Sequence, residues 1–453
     1  MPSRYPANPT LTEVERDPVL PGDVIPTRAI VLGGTLRCLW LGNAANKHFR
    51  GAGVTGSPAN GIDAAWRRKV PLAASPLGWH LPRSWPPCVF YNANVKTWDV
   101  LVIGGGIIGL SLSIELRKRG ATVLVVERGQ PGQEASHAAG GMLVDSATET
   151  AALLQPLATA SARMYPEFVH EIEIESGLTA DLRDQGTIIF PPPEHIDDPT
   201  LASSDLVPAP LAEFEPALAA ANRPAFFLKE RSVDPRGITA AALKAAKHRG
   251  IDFSSGDPVT AVNLSDGRAS GVTTTKTSFH APKVVNCAGA WSGQIAPHAF
   301  PTRPVKGQML CLAAPSRTLL QHVIRTPDVY LIPRSDGRIL VGATVEEAGF
   351  DKRIDPATIQ RLHRAALALV PELHNAKILE DWAGLRPGTP DALPILGATS
   401  TPGYYVATGH FRDGILLAPI TAQIMAEIIS GANPLLDVSA FSPSRFPIHV
   451  QPA

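Results

Sequence analysis

The chain has 453 residues and a mass of 48.0 kDa, room for roughly two to three domains and a sizeable core. Charged residues make up 18%, Lys+Arg 41 balances Asp+Glu 41, and no stretch reaches the ~18 consecutive apolar residues of a membrane span. These values exclude a small stapled module and argue against nucleic-acid or membrane partners.

Four cysteines, Cys38, Cys88, Cys287 and Cys311, are scattered without a CxxC pair or a Cys/His cluster at metal-ligand spacing. Reduced thiols, a cytoplasmic location and no metal site are expected. The first 95 residues differ from the rest, with 10 Lys/Arg against 5 Asp/Glu and no 2.0 or 3.6 period among their prolines and tryptophans. Glu13, Glu15, Asp17 and Asp23 precede any apolar run, unlike a secretory signal. The run Ala29 to Thr35 imitates a strand and phosphate turn, but no amphipathic helix pattern follows it, and it is read as coincidence. The expectation is that residues 1–94 are upstream sequence outside the protein proper, with a start at Val95; a disordered linker or targeting extension is the rival. The intact mass of protein from its native host distinguishes them.

From Asp99 the pattern changes. Asp99-Val100-Leu101-Val102-Ile103 reads as a buried strand, and Gly104-Gly105-Gly106-Ile107-Ile108-Gly109 satisfies GxGxxG through Gly104, Gly106 and Gly109. An apolar-periodic segment to Gly120 follows, then a second strand, Ala121 to Val126, ending in Glu127. This βαβ opening binds dinucleotides for a physical reason. One glycine makes the tight turn, one lets backbone approach a pyrophosphate, one packs helix on strand, and an acid about 20 residues on reaches the ribose hydroxyls. NAD and FAD share the fingerprint. The small-residue loop Arg128 to Leu143 allows close approach of backbone to a flat ring, which is suggestive only.

At this point the sequence resembles the D-amino-acid oxidase family of FAD enzymes, most closely its glycine oxidase branch, which supplies the imine for thiamine thiazole synthesis. The resemblance runs from about Trp98 to about Gly431. It rests on Val102 to Ser111, on Glu134-Ala135-Ser136 with Gly141-Met142-Leu143, on Val284 to Ser292, on Asp381 to Asp391, and on Gly403 to Pro419. It implies an α/β fold: an FAD-binding Rossmann-type domain of the glutathione-reductase-like kind, with an inserted α+β substrate domain of antiparallel sheet. The expected boundaries are 96–160, 231–301 and 384–435 for the FAD domain, 161–230 and 302–383 for the substrate domain, and 436–453 for a C-terminal tail.

Carried over by position, the resemblance places Ile107 and Ile108 at the pyrophosphate and Glu127 and Arg128 at the adenosine ribose. It places Ala135, Ser136, Gly140, Gly141 and Met142 around the flavin, Val259 at the adenine, and Gly289 in the cofactor site. His410, Phe411, Arg412, Asp413, Gly414, Ile415 and Leu416 form a flavin-contacting segment before a helix running to about Ile429. Arg386 matches the arginine that binds the substrate carboxylate, Tyr330 the tyrosine beside it, and Arg412 an arginine near the substrate. A planar guanidinium fork suits a carboxylate bidentately. His410 is not required as a base. Asp234 and Pro235 read instead as a helix N-cap and N1 pair.

The resemblance further implies non-covalent FAD, a small amino-acid substrate, oxygen as acceptor, a homo-oligomer and a functional link to thiazole-synthesis proteins. Two departures concern the pocket: Asp328 stands where such oxidases carry His two residues before the tyrosine, and Val345 where they can show Met. A dehydrogenase passing electrons to a quinone or carrier, a catalytically idle flavoprotein component, and a tRNA-modifying relative remain as rivals.

Overall fold

The computed structural model describes residues 96–146, 150–192, 206–218 and 223–447, with backbone alone at 29–32, 35–38 and 449–450. The chain divides into two units, 1–91 and 92–453. In the first, Ala29–Leu32 pairs antiparallel with Thr35–Cys38, Leu32 opposite Thr35. Among the described residues, the run that imitates a phosphate turn is followed by a strand and not by a helix. The rest of the expected 1–95 extension lies outside the described residues.

The second unit is built on two sheets. In the first, the strands run in the order Asp252–Ser255, Val123–Glu127, Val100–Ile103, Lys283–Asn286, Tyr404–Thr408 and Ile395–Ala398. The first five are parallel and the last antiparallel. Every residue of Val100–Ile103 and Val123–Glu127 is buried, as continuous apolar runs in a parallel sheet covered on both faces require. Helices Ile107–Lys118, Gln155–Ser176, Pro235–His248 and Ala418–Ser430 share one core with this sheet. The antiparallel meander Val259–Ser265, Arg268–Thr274 and Ser278–His280 covers the other face. This is the expected Rossmann-type architecture.

The second sheet has eight strands, ordered Lys377–Gly388, Arg303–Ala313, Arg338–Gly342, Tyr330–Pro333, Val323–Arg325, Thr187–Ile189, Phe226–Leu228 and Val207–Pro208. It is antiparallel as expected except where Val323–Arg325 runs parallel to Thr187–Ile189. Tyr330–Pro333 and Arg338–Gly342 form the expected hairpin. Helix Pro356–Leu369 buries Ile359, Leu362 and Ala366 against the sheet, and Asp355 caps its Ala357 and Thr358 N–H groups.

Two of the expected boundaries fall inside elements. The 160/161 boundary falls inside Gln155–Ser176, whose buried Leu157, Ala162, Tyr165, Val169 and Ile172 join the nucleotide-side core. The 383/384 boundary falls inside the strand Lys377–Gly388. Within the expected tail, Phe441 is buried and the backbone of His449–Val450 pairs with His298–Ala299. Periodicity marks an amphipathic element but not the layer it packs against. Asp234 caps Pro235–His248 through the Arg236 N–H, and its other oxygen pairs with Arg338 at 2.7 Å, tying the helix to the substrate hairpin.

Candidate active site

Four adjacent parallel strands end on one cavity of about 870 Å³, a size suited to a cofactor or other small molecule. Ile103, Glu127, Cys287 and Thr408, at or just after these strand ends, line it, the usual ligand position in an α/β sheet. Gly104 has φ +105°, and a Cβ there would lie 2.4 Å from the Cys287 carbonyl oxygen. A Cβ on Gly109 would fall 2.1 Å from the Gly104 carbonyl oxygen. Gly109 therefore serves helix packing and does not line the cavity, whereas Gly104 and Gly106 do. The three glycines divide the tasks that their spacing predicts.

Ile107 and Ile108 also line the cavity. The Ile107 N–H donates to Ser136 Oγ at 3.0 Å, and Gly106 at the N-cap offers no side chain to the other first-turn donors, which suits an anion. Glu127 faces the same space, its two oxygens held by Gly105 N–H at 2.7 Å and Gly129 N–H at 2.8 Å. Arg128 stacks over Trp291, 4.3 Å from its ring centre. Val259 and Gly289 complete this part of the wall.

The loop expected at the flavin is fixed at nearly every residue. The Ala138 carbonyl accepts from Trp382 Nε1 at 3.1 Å, the Gly140 carbonyl from Arg334 Nη2 at 2.5 Å, and the Gly141 carbonyl from Val233 N–H at 2.8 Å. Gly141 has φ +79°, and a Cβ there would meet the Val233 carbonyl oxygen at 2.0 Å. Ala135, Ser136, Gly140, Gly141 and Met142 all face the cavity. Arg334 is fully buried, and burial pushes its guanidinium down to about 10.

Opposite lies the segment before Ala418–Ser430. His410, Phe411, Arg412, Asp413, Gly414 and Ile415 line the cavity; Leu416 does not, being buried in the helical core. Tyr165 Oη donates to the Ile415 carbonyl and Ser161 Oγ to the Leu416 carbonyl at 2.6 Å. His410 is buried, with Nε2 3.1 Å from Thr421 Oγ1, and burial pushes it down to about 3. It stays neutral at physiological pH, held against Thr421. Burial pushes the Asp413 carboxyl up to about 6, against the pull of Arg412.

Because the folded Asp413 value lies above its usual 3.8, its stabilising contribution is full below about pH 4 and is lost as pH rises through about 6. Asp413→Asn is therefore expected to stabilise the FAD-free protein by up to about 3 kcal/mol at pH 8 and negligibly at pH 4. Thermal melts across this range check it; a gap independent of pH contradicts it.

At the substrate end, Arg386 projects from Lys377–Gly388, its Nη1 donating to the carbonyl oxygens of Thr344 at 3.0 Å and Lys306 at 3.4 Å. Tyr330 shares the cavity wall, with Oη 3.8 Å from Met309 Sδ. Burial raises its phenol above the ordinary value, while Arg386 and Arg412 pull it back. It remains a neutral donor at physiological pH. Two glycines make room for this pair. A Cβ on Gly307 would lie 2.2 Å from the Arg386 guanidinium, and one on Gly342 would lie 2.9 Å from the Tyr330 ring.

Sequence reasoning missed these two glycines, Arg334 beneath the loop, and the lining residues Ile189, Phe190, Met309, Arg325 and Thr326. Trp291 lay in a quoted motif without a role. Of the two departures, Val345 lines the cavity, whereas Asp328, exposed in the Thr326–Val329 turn, does not, although its neighbours Thr326 and Pro327 do.

The wall fits FAD on its own terms: a glycine turn and helix start without side-chain obstruction, an acid behind them, and a pinned loop of small residues. The comparisons agree. Residues 99–428 match the family model described as FAD dependent oxidoreductase. A glycine oxidase of Geobacillus kaustophilus is 32% identical over 366 residues, covering 77% of this chain and 97% of that protein. The crystal structure of glycine oxidase from the same organism superposes with a TM-score of 0.74 at 30% identity, covering 78% of this chain and all of that one. A bifunctional ThiO/ThiG protein of Trichormus variabilis is 35% identical over 366 residues, 77% of this chain. The chain spans about half the length (55%) of that bifunctional relative. A family match of this extent, on a cavity built in this way, assigns the cofactor as FAD, and the chain belongs to the FAD dependent oxidoreductase family.

Proposed function

We propose that the protein is an amino-acid oxidase that converts glycine, and other small amines such as sarcosine and D-alanine, to the imine with release of hydrogen peroxide. The observation that carries this reading is the meeting of Arg386 and Tyr330 with the flavin loop on one cavity wall. FAD, when bound, supplies the two-electron acceptor that oxygen regenerates. The Arg386 guanidinium holds the substrate carboxylate, and the neutral Tyr330 phenol donates to it, fixing the orientation of Cα. His410 need not act as a base when the substrate binds with its amine neutral. Ile107, Ile108, Glu127, Arg128 and Val259 would hold the nucleotide, and the 135–142 loop and the 410–415 segment would line the flavin.

Glycine needs no side-chain pocket, and one methylene shifts discrimination by only about 1 to 3 kcal/mol, so sarcosine and D-alanine belong to the same substrate class. Similarity to glycine oxidases supports glycine as substrate, and similarity to the bifunctional ThiO/ThiG protein supports a role in supplying imine for thiazole synthesis. We place the protein in the cytoplasm as a homo-oligomer holding FAD non-covalently. Burial raises the Cys287 thiol well above its ordinary value, which supports a non-covalent cofactor.

Purified protein given glycine, sarcosine, D-alanine or D-proline in air tests the reading. Peroxide is expected with glycine. Flavin bleaching without peroxide would favour the dehydrogenase, and no bleaching with any of the four would contradict an amino-acid oxidase of this class.

A further inference from the structure

Arg386 is held from behind by a clasp of side chains outside the cavity. Its Nη1 rests on the Thr344 and Lys306 carbonyl oxygens. The segment carrying Thr344 leaves the Arg338–Gly342 strand and is fastened to Arg303–Ala313 by a ladder: Gln308 N–H donates to Thr344 Oγ1 at 2.9 Å, Glu346 N–H to the Lys306 carbonyl at 2.9 Å, and Lys306 N–H to the Glu346 carbonyl at 2.9 Å.

The Glu346 carboxylate closes the clasp. Oε1 accepts from the Thr344 hydroxyl and from Gln308 Nε2 at 2.8 Å, and Oε2 lies 3.7 Å from Lys306 Nζ. Lys306 is itself buried, its ammonium donating to the Arg353 carbonyl at 2.5 Å. Fully buried Gln308 accepts through Oε1 from Asp355 N–H at 2.7 Å, joining the clasp to the start of helix Pro356–Leu369. The Thr344, Gln308 and Lys306 contacts hold the Glu346 carboxyl below the ordinary carboxylate range despite its desolvation.

We propose that Thr344 and Glu346 are positioning residues for substrate binding: their clasp fixes the two carbonyls that seat the Arg386 guanidinium, so that it meets a substrate carboxylate in one geometry. Gly307 supplies the flat floor of this seat. The inference rests on the reading of Arg386 as the carboxylate-binding residue. Loss of the clasp leaves Nη1 bonded to carbonyls that are free to shift, and an unfixed cation loses most where a bidentate pair must form.

The test uses FAD-loaded enzyme and two readouts: KM and kcat for glycine, and the dissociation constant of acetate read from the visible absorption change of the bound flavin. Thr344→Val and Glu346→Gln are each expected to raise the glycine KM and the acetate constant by about tenfold, the effect of losing a hydrogen bond or two. In both variants FAD affinity should stay near wild type, and any fall in kcat should be smaller than that in Arg386→Ala. Thr344→Ser, which restores the hydroxyl, should return both values to within about twofold of wild type. A purely structural role would lower FAD content and kcat together without rescue by Ser, and that result overturns the proposal.

Arg386→Lys is measured in parallel. If it weakens acetate binding while Thr344→Val and Glu346→Gln do not, the clasp is refuted and the carboxylate reading stands. If Arg386→Lys leaves both readouts unchanged, the carboxylate reading fails and the clasp fails with it.

Discussion

Replacement of Arg386 by Ala should lower kcat/KM for glycine by at least about 10²-fold, because a lost charge-assisted pair is worth roughly 3 kcal/mol. FAD content should not change, since Arg386 stands on the substrate sheet and is held by Thr344 and Lys306, not by the nucleotide loop. The loss should fall on KM and kcat together: the carboxylate anchor both binds the substrate and sets the direction of its Cα. Arg386→Lys keeps the charge without the planar fork and should recover only part of the loss. Steady-state kinetics on protein matched for flavin absorbance measures this, and near-wild-type kcat/KM in Arg386→Ala would remove the residue from the site.

The second large effect belongs to Gly104→Ala. A side chain at this position must adopt φ +105° and put a Cβ 2.4 Å from a backbone oxygen of the neighbouring parallel strand's end, which has no flexible side chain to yield. Strain and clash together should cost at least about 2 kcal/mol and push apart the Gly104 and Cys287 turns, where FAD phosphates would sit on the proposed reading. The expected product is protein without FAD and with a lowered melting temperature. Gly120→Ala is the control. Gly120 also has a positive φ, +87°, but nothing lies within 4 Å of a Cβ there, so only the backbone penalty of about 1 kcal/mol applies and FAD binding should survive. Equal FAD retention in the two variants would show that the Gly104 contact does not matter.

The part of the site legible in the sequence was the part written in consecutive residues. Strand, glycine turn, helix and terminal acid occupy Asp99 to Glu127 without interruption, and each glycine's task follows from its place in that run. Arg386, Tyr330 and the 410–415 segment were legible through resemblance, and the structure brings them to one cavity. The seat of Arg386 was hidden because it is assembled across strands: Gly307 lies opposite Gly384 in the register of Arg303–Ala313 with Lys377–Gly388, and no local pattern marks a glycine as the floor beneath an arginine two residues along the partner strand.

Arg334 was hidden for a similar reason. In sequence it belongs to a polar hairpin turn, Arg334-Ser335-Asp336-Gly337, yet the hairpin lies under the flavin loop and its guanidinium is buried on the Gly140 carbonyl. The layer of Gln155–Ser176 depended on the same long-range information. Its apolar face is helical in period, but only tertiary contact shows that Tyr165 and Ser161 reach the Ile415 and Leu416 carbonyls.

The most direct test of the account is anaerobic mixing of the purified, FAD-loaded protein with glycine, followed by admission of oxygen, with the flavin absorbance and hydrogen peroxide recorded together. The account predicts bleaching under anaerobic conditions, then recovery of the oxidised spectrum with one peroxide for each flavin reoxidised, as a two-electron cycle requires. A flavin that stays oxidised in the presence of glycine, while Arg386 and Tyr330 are intact, would contradict it.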